Sequence, residues 1–194
     1  MLAAAPGDAL APQAAGQELL ACRPAHIEAP APALTAPELR LSQYLSRRYM
    51  VGLAATEQVV QAAYAAAGEV GLDPLLLLAV AAVESSFNPL AESVVGAKGL
   101  MQIIPKWHRE KLERLGGDDA LFDPEANILL GAHILKEYVH RTGTLEAGLQ
   151  FYNGAFFDST AQYARKVLAE RSRLEQVLRG TSRVREATLS AQAS

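Results

Sequence analysis

The chain has 194 residues, a formal net charge of −3, half of its residues apolar and 20% charged. That is enough apolar surface for one sizeable core, and it excludes wholesale disorder and a nucleic-acid-binding polycation. Aromatics are 6% of the chain and Cys22 is its one cysteine, so a base-stacking surface, an internal disulfide, a multi-cysteine zinc site and an iron–sulfur cluster are excluded as well.

Residues 1–37 are about half Ala plus Pro and hold six of the ten prolines. Proline removes backbone donors and fixes φ, so this stretch reads as a disordered arm or linker. It has no basic start, and Asp8, Gln13, Gln17 and Glu18 interrupt any apolar stretch, so no standard signal peptide is expected. Leu19-Leu20-Ala21-Cys22 loosely matches a lipoprotein cleavage site, but no apolar run precedes it; Cys22 is read as a free cysteine in the arm.

From Glu38 to Gly52, Leu39, Leu41, Tyr44, Leu45, Tyr49 and Met50 recur at near-helical spacing. A second helix is predicted from a Thr56 cap to about Val70, stopped by Gly71. Asp73-Pro74 is a cap followed by first-turn proline, and it opens a ten-residue apolar run ending at Val83. The run is half of what a bilayer span requires, so it reads as a buried core helix. Residues 85–105 are predicted as loop, and Trp107 to Leu115 as helix ended by Gly116-Gly117. Asp123-Pro124 repeats the start signal for a helix to about Arg141. Thr144 caps Leu145 to Tyr152, and Asp158 or Ser159 caps a last helix through Leu178. Periodicity is lost after Gly180. The fold class is all-α: a helical domain over 38–179, with 180–194 a flexible C-terminal tail and no strand signal. Residues 165–186 hold seven Arg or Lys against three acids, which is either an attraction to an anionic polymer or, because the signs alternate, a solvated helix face.

Glu84 stands out. It ends the apolar run, and positions 77, 80 and 81 share its helical face. Desolvation and the negative end of the helix dipole both raise a carboxyl pKa, which suits a general acid. A hydrated carboxylate at a surfaced helix end is the alternative, and composition alone leaves both open.

The segment from Glu84-Ser85-Ser86-Phe87-Asn88-Pro89 through Ser93, Gly96, Gly99-Leu100-Met101-Gln102 and Pro105 resembles the catalytic signature of the soluble lytic transglycosylase family, related to goose-type lysozyme. Pro124-Glu125-Ala126-Asn127-Ile128-Leu129-Leu130-Gly131, Leu149-Gln150-Phe151-Tyr152-Asn153-Gly154-Ala155 and Tyr163-Ala164-Arg165-Lys166-Val167 resemble three further motifs of that family, in the same order. The resemblance implies a lysozyme-like α-helical fold and cleavage of the β-1,4 bond between N-acetylmuramic acid and N-acetylglucosamine, without water and with 1,6-anhydro ends. Glu84 would be the sole general acid and base. Ser93, Met101, Gln102, Tyr152, Asn153 and Tyr163 would line the cleft and bind substrate.

The residues agree with a one-carboxylate scheme: ordinary glycosidases need two acids, whereas substrate assistance removes that need. Among the other acids Asp123 and Asp158 look like helix caps, Asp118 and Asp119 like solvated loop, and Glu92 lies in the motif loop. Ser85 has no histidine at motif spacing, so a serine nucleophile is rejected. His26 lies in the arm, and His133 and His140 have no third ligand placed by spacing, so neither metal nor cofactor is expected. Core packing is favoured for Trp107 and a surface helix position for His108, over places at the cleft. Phe156 and Phe157 depart from the small-residue turn that follows Tyr-Asn in many family members, which puts that loop and one subsite in doubt.

Two other functions compete with the transglycosylase: a hydrolytic lysozyme-type muramidase, and a non-catalytic peptidoglycan-binding component of an envelope-spanning assembly. The expected partners are peptidoglycan glycan strands, with no nucleic acid and no integral membrane span. An envelope assembly such as a secretion apparatus, flagellum or phage is a candidate partner. The expected state is a monomer, and the expected location, from the substrate, is the periplasm or cell envelope.

Overall fold

A computed structural model describes the backbone of residues 33–192 and the side chains of residues 33–180. Most of the expected arm, with Cys22 and His26, lies outside the described residues. The elements are α1 (Ala36–Tyr49), α2 (Leu53–Val70), α3 (Pro74–Ser85), α4 (Arg109–Glu113), α5 (Pro124–Thr142), α6 (Leu145–Tyr152) and α7 (Gln162–Gln192), with short 3-10 turns at Pro105–Trp107 and Asp118–Phe122. The fold is all-α. Among the described residues the only β pairing is two isolated bridges, Glu92 with Lys98 and Lys98 with Ile103. No described helix is long and apolar enough to cross a membrane.

The helix starts follow from local chemistry. The Asp73 carboxylate accepts from Leu75 N at 2.9 Å and that of Asp123 from Ala126 N at 2.8 Å, each followed by proline in the first turn. α1 begins earlier than its apolar spacing suggests, because Thr35 and Glu38 form a capping box around Pro37. Thr56 is not a cap: α2 starts at Leu53, and the Thr56 hydroxyl donates to Gly52 O at 3.0 Å inside the helix. The expected helix over Trp107 to Leu115 is split at His108, whose φ of −131° is not helical. Asp118 and Asp119, expected in loop, open a 3-10 turn.

Helix α3 is the centre of the core. Leu75 through Ala82 are all buried, so it is covered on every side, with α2 and α7 against it. α5 packs on α2 and α6, and α1 on α2 and α7. Each leucine of α3 removed from water stabilises by about 1.5–3 kcal/mol, and truncating one to alanine costs about 2–5 kcal/mol.

Helix α7 runs past Gly180 to Gln192, through most of the segment expected as a tail. A glycine inside a helix costs only about 1 kcal/mol, too little to end it. Of its basic residues among those described, Arg171 pairs with Asp73 at the start of α3, Arg173 with the buried Glu170 and Arg179 with Glu175.

Candidate active site

Glu84 occupies the last turn of α3. Ser85 closes the helix, and the two residues after it, Ser86 at φ 52° and Phe87 at φ 64°, are both left-handed although neither is glycine. Each such residue costs on the order of 1–2 kcal/mol, and the surroundings must hold it there. Phe87 supplies the hold: it is fully buried, with its ring centroid 5.1 Å from that of Tyr49. The chain therefore turns sharply away from α3 and leaves Glu84 at the helix end.

The Tyr163 hydroxyl donates to Glu84 Oε1 at 2.5 Å. Burial pushes the Glu84 carboxyl above its ordinary 4.5; the Tyr163 hydrogen bond favours the charged form and offsets this only in part. Among the described residues Glu84 forms no ion pair, and burial and the Tyr163 hydroxyl are what act on its carboxyl. Burial and the Glu84 charge push the Tyr163 hydroxyl far up, so it remains a donor.

Helix α6 sets Tyr163 in place. Gln150 is buried there, and its Oε1 accepts from Ala164 N at 3.0 Å. Its Nε2 donates to Ala155 O at 3.3 Å and to Asp158 Oδ2 at 3.4 Å. Asp158 accepts in turn from Thr160 N and Gln162 N, at the start of α7. These donors, with the Thr160 hydroxyl first among them, hold the Asp158 carboxyl down at about 2. Asp158 thus holds the first N–H of α7 from the preceding turn, four residues ahead of the helix rather than at its N-cap position.

The opposite wall is the loop between α3 and α4, clamped from α5. Asn127 is fully buried; its Oδ1 accepts from Met101 N at 2.8 Å, and its Nδ2 donates to Lys98 O and Leu121 O at 3.1 and 2.8 Å. Gly99, at φ 74°, has no room for a side chain: a Cβ would lie 2.1 Å from Leu121 O. Gln102, also left-handed at φ 49°, donates from Nε2 to Ala91 O and Gly99 O. The Tyr152 hydroxyl bonds Met101 O at 2.8 Å and ties α6 to the loop.

Beside these groups lies a groove of about 490 Å³. Gln102, Tyr152 and Asn153 line it, as do Trp107, His108, Tyr138 and Phe156. Glu84 and Tyr163 are not among its lining residues. Tyr152 connects the two, because it faces the groove and feels the Glu84 charge, which with burial pushes its hydroxyl well up.

Several expectations change here. Met101 is not a cleft wall: its side chain is fully buried, and its Sδ would lie 2.4 Å from a Cβ on Gly131. It fills the core behind the wall and reaches the site only through its carbonyl. The Ser93 hydroxyl accepts from Ala97 N at 3.0 Å and closes a turn in the loop, and Ser93 does not line the groove. Trp107 is 69% exposed in the groove lining, with Lys106 Nζ 4.8 Å from its ring centroid, so core packing is corrected. His108 also lines the groove rather than an open helix face, and burial lowers its pKa from 6.5. Phe156 stacks edge-on against Phe151 at 4.3 Å, while Phe157 is 98% exposed. Ser85 donates its hydroxyl to Ala81 O, a local bond.

Asn127 and Gln150 were not singled out from sequence, although both lie in motif segments. Asn127 had a signal. It sits at i−4 and i−7 from Gly131 and Ile134 on the inward stripe of α5, where a polar residue must be satisfied by something specific.

The transglycosylase SLT domain model matches residues 61–171, a span that contains Glu84, Asn127, Tyr152 and Tyr163. A transglycosylase of Enterobacteria phage PRD1 is 41% identical over 90 residues, 46% of this chain and 32% of that protein. Membrane-bound lytic murein transglycosylase C of Mannheimia succiniciproducens is 34% identical over 129 residues, 56% of this chain and 36% of that protein. The soluble lytic murein transglycosylase of Escherichia coli K12 is 39% identical over 92 residues, 45% of this chain and 13% of that protein. The chain thus spans about a third or less of the length of these relatives. With the matched segment covering more than half of it and enclosing the Glu84–Tyr163 pair, the chain belongs to the transglycosylase SLT domain family.

Proposed function

We propose that the protein is a peptidoglycan lytic transglycosylase in which Glu84 is the sole general acid and base. One observation carries this reading. Glu84 ends a wholly apolar helix, its carboxyl is pushed up by burial, and its polar partner is the Tyr163 hydroxyl rather than a cation or a second acid. Such a carboxyl holds a proton closer to neutrality than an exposed one and can deliver it to a glycosidic oxygen.

In the first step Glu84 gives its proton to the bridging oxygen, and the bond from that oxygen to the anomeric carbon breaks. The carbonyl oxygen of the substrate's own acetamido group bonds to the anomeric carbon. Glu84, now a carboxylate, takes the proton from the 6-hydroxyl of the same sugar. That oxygen displaces the acetamido oxygen, closes the 1,6-anhydro ring and leaves Glu84 protonated. No water is consumed, so no second carboxylate is needed to activate one.

The Tyr163 hydroxyl orients the acid and supports its charged form between the two proton transfers. Trp107, Tyr138 and Phe156 offer aromatic faces to pyranose rings, and Gln102 and Asn153 offer polar groups to their substituents. The substrate places the protein at the wall, in the periplasm or cell envelope, where it acts as a monomer.

The test is a mass-spectrometric readout of purified sacculi after incubation with the protein and with Glu84→Gln. The expected products end in 1,6-anhydro sugars, one water lighter than reducing ends, and are absent with the variant. Reducing ends would move the protein to the hydrolytic muramidases. No product from folded protein would leave a wall-binding role.

A further inference from the structure

The groove between α1 and α7 is lined by none of the residues described above as the candidate site. Arg40, Gln43, Tyr44 and Arg47 stand on one face of α1 at i, i+3, i+4 and i+7. With Arg48 and with Val177 of α7 they line about 560 Å³. The acid paired with this cluster, Glu170, is already engaged. It accepts from the Tyr49 hydroxyl at 2.9 Å, lies 3.4 Å from Arg48 Nε and pairs with Arg173. Neither Arg40 nor Arg47 takes part in an ion pair among the described residues. Arg40 Nε is buried without a hydrogen-bond partner, the one side-chain polar atom in that condition among the described residues. A buried N–H without an acceptor is costly and calls for a specific reason.

We propose that this groove is a binding site for a phosphate group, whose oxygens accept from the guanidinium groups of Arg40 and Arg47 that line it. A carboxylate presents two coplanar oxygens, which two guanidinium forks and a hydroxyl would have to share. A phosphate presents three or four, enough for two forks and the Tyr44 hydroxyl together. Two unpaired guanidinium groups also match its charge of about −1.5 to −2 as a monoester at neutral pH. The same phosphate chemistry comes from a free ion or from an anionic lipid headgroup. Met50, 89% exposed, and Leu53, also exposed, follow Arg47 and Arg48 at the α1–α2 corner and offer apolar contact to a lipid surface.

The experiment uses the full chain in two arms at constant ionic strength. In one, inorganic phosphate is titrated while the arginine Nε–Hε NMR signals and the Tm are followed. In the other, the protein is sedimented with phosphatidylcholine vesicles with and without phosphatidic acid. The expected results are a phosphate-dependent shift of the Arg40 signal, a Tm that rises with phosphate, and a tenfold or greater loss of affinity in Arg40→Gln/Arg47→Gln. Arg109→Gln/Arg114→Gln, with the same net charge, should bind as the wild type does. Arg40→Lys keeps the charge and the packed stem, and its expected loss of about tenfold reports the lost guanidinium fork apart from any folding defect. Phosphate binding without vesicle binding assigns the site to the free ion; Arg40-dependent vesicle binding assigns it to the headgroup. The proposal is overturned if neither phosphate nor vesicles bind, or if both double variants lose binding alike.

Discussion

Among the described residues two carboxylates accept a hydrogen bond from a tyrosine hydroxyl, Glu170 buried and Glu84 partly buried. Glu170 on α7 accepts from Tyr49 at 2.9 Å, and Glu84 on α3 from Tyr163 at 2.5 Å. Their difference is in the countercharge. Glu170 is flanked by Arg48 and Arg173, so its charge is matched where it lies, and it joins α7 to α1. Among the described residues Glu84 has no ion-pair partner, and burial raises its pKa. For a buried carboxyl with a neutral donor and no ion pair, binding a proton is the least costly way to remove the charge, which is the condition the proposed acid needs.

The largest effect that would break this contrast is on chemistry. Glu84→Gln keeps shape and the Tyr163 contact but carries no transferable proton. Product release from sacculi should fall by about 10³-fold or more, with the Tm of the variant not below that of the wild type. An active variant would show that the acid lies elsewhere.

Glu170→Gln should do the reverse. Breaking a buried pair costs up to about 3–5 kcal/mol, but Arg48 and Arg173 are partly exposed and recover water, so about 2 kcal/mol is expected in urea unfolding. Activity per folded molecule should be unchanged.

Tyr163→Phe sharpens the contrast by removing the hydroxyl that donates to Glu84. Loss of a hydrogen bond to a charged group is worth about tenfold in rate. The bond favours the carboxylate, so without it the Glu84 pKa rises further. The limb of the pH–rate profile on which Glu84 loses its proton should move to higher pH.

The smallest effect is on stability against pH. The folded state holds the Glu84 proton more tightly than the unfolded chain does. Its contribution is therefore full below the ordinary 4.5 and is lost as pH rises through the raised folded value. Wild type and Glu84→Gln should melt together at low pH, and the variant should melt higher at neutral and alkaline pH. Equal melting at every pH would mean that Glu84 is hydrated like an exposed acid.

Much of this was legible in one dimension. Asp73-Pro74 and Asp123-Pro124 mark the helix starts because a cap and a fixed φ act within one turn. The apolar run ending at Glu84 marks a buried helix because nothing else satisfies ten apolar residues in water. Those local rules gave the all-α class and drew attention to Glu84. They failed where distant chain segments decide. Trp107 reads as core by composition but is exposed in the groove. Met101 reads as cleft but is buried against Gly131. Asn127 and Gln150 read as ordinary polar residues, yet each satisfies backbone groups from two or more segments.

By itself, then, the sequence determined which segments are helical and that a carboxyl ends the most apolar of them, since capping, proline geometry and hydrophobic periodicity act over a few residues. Only the tertiary structure decided that a tyrosine 79 positions away faces that carboxyl and that, among the described residues, no cation pairs with it. Solvation and countercharge, which set a carboxyl's proton affinity, depend on what packs against it from the rest of the chain.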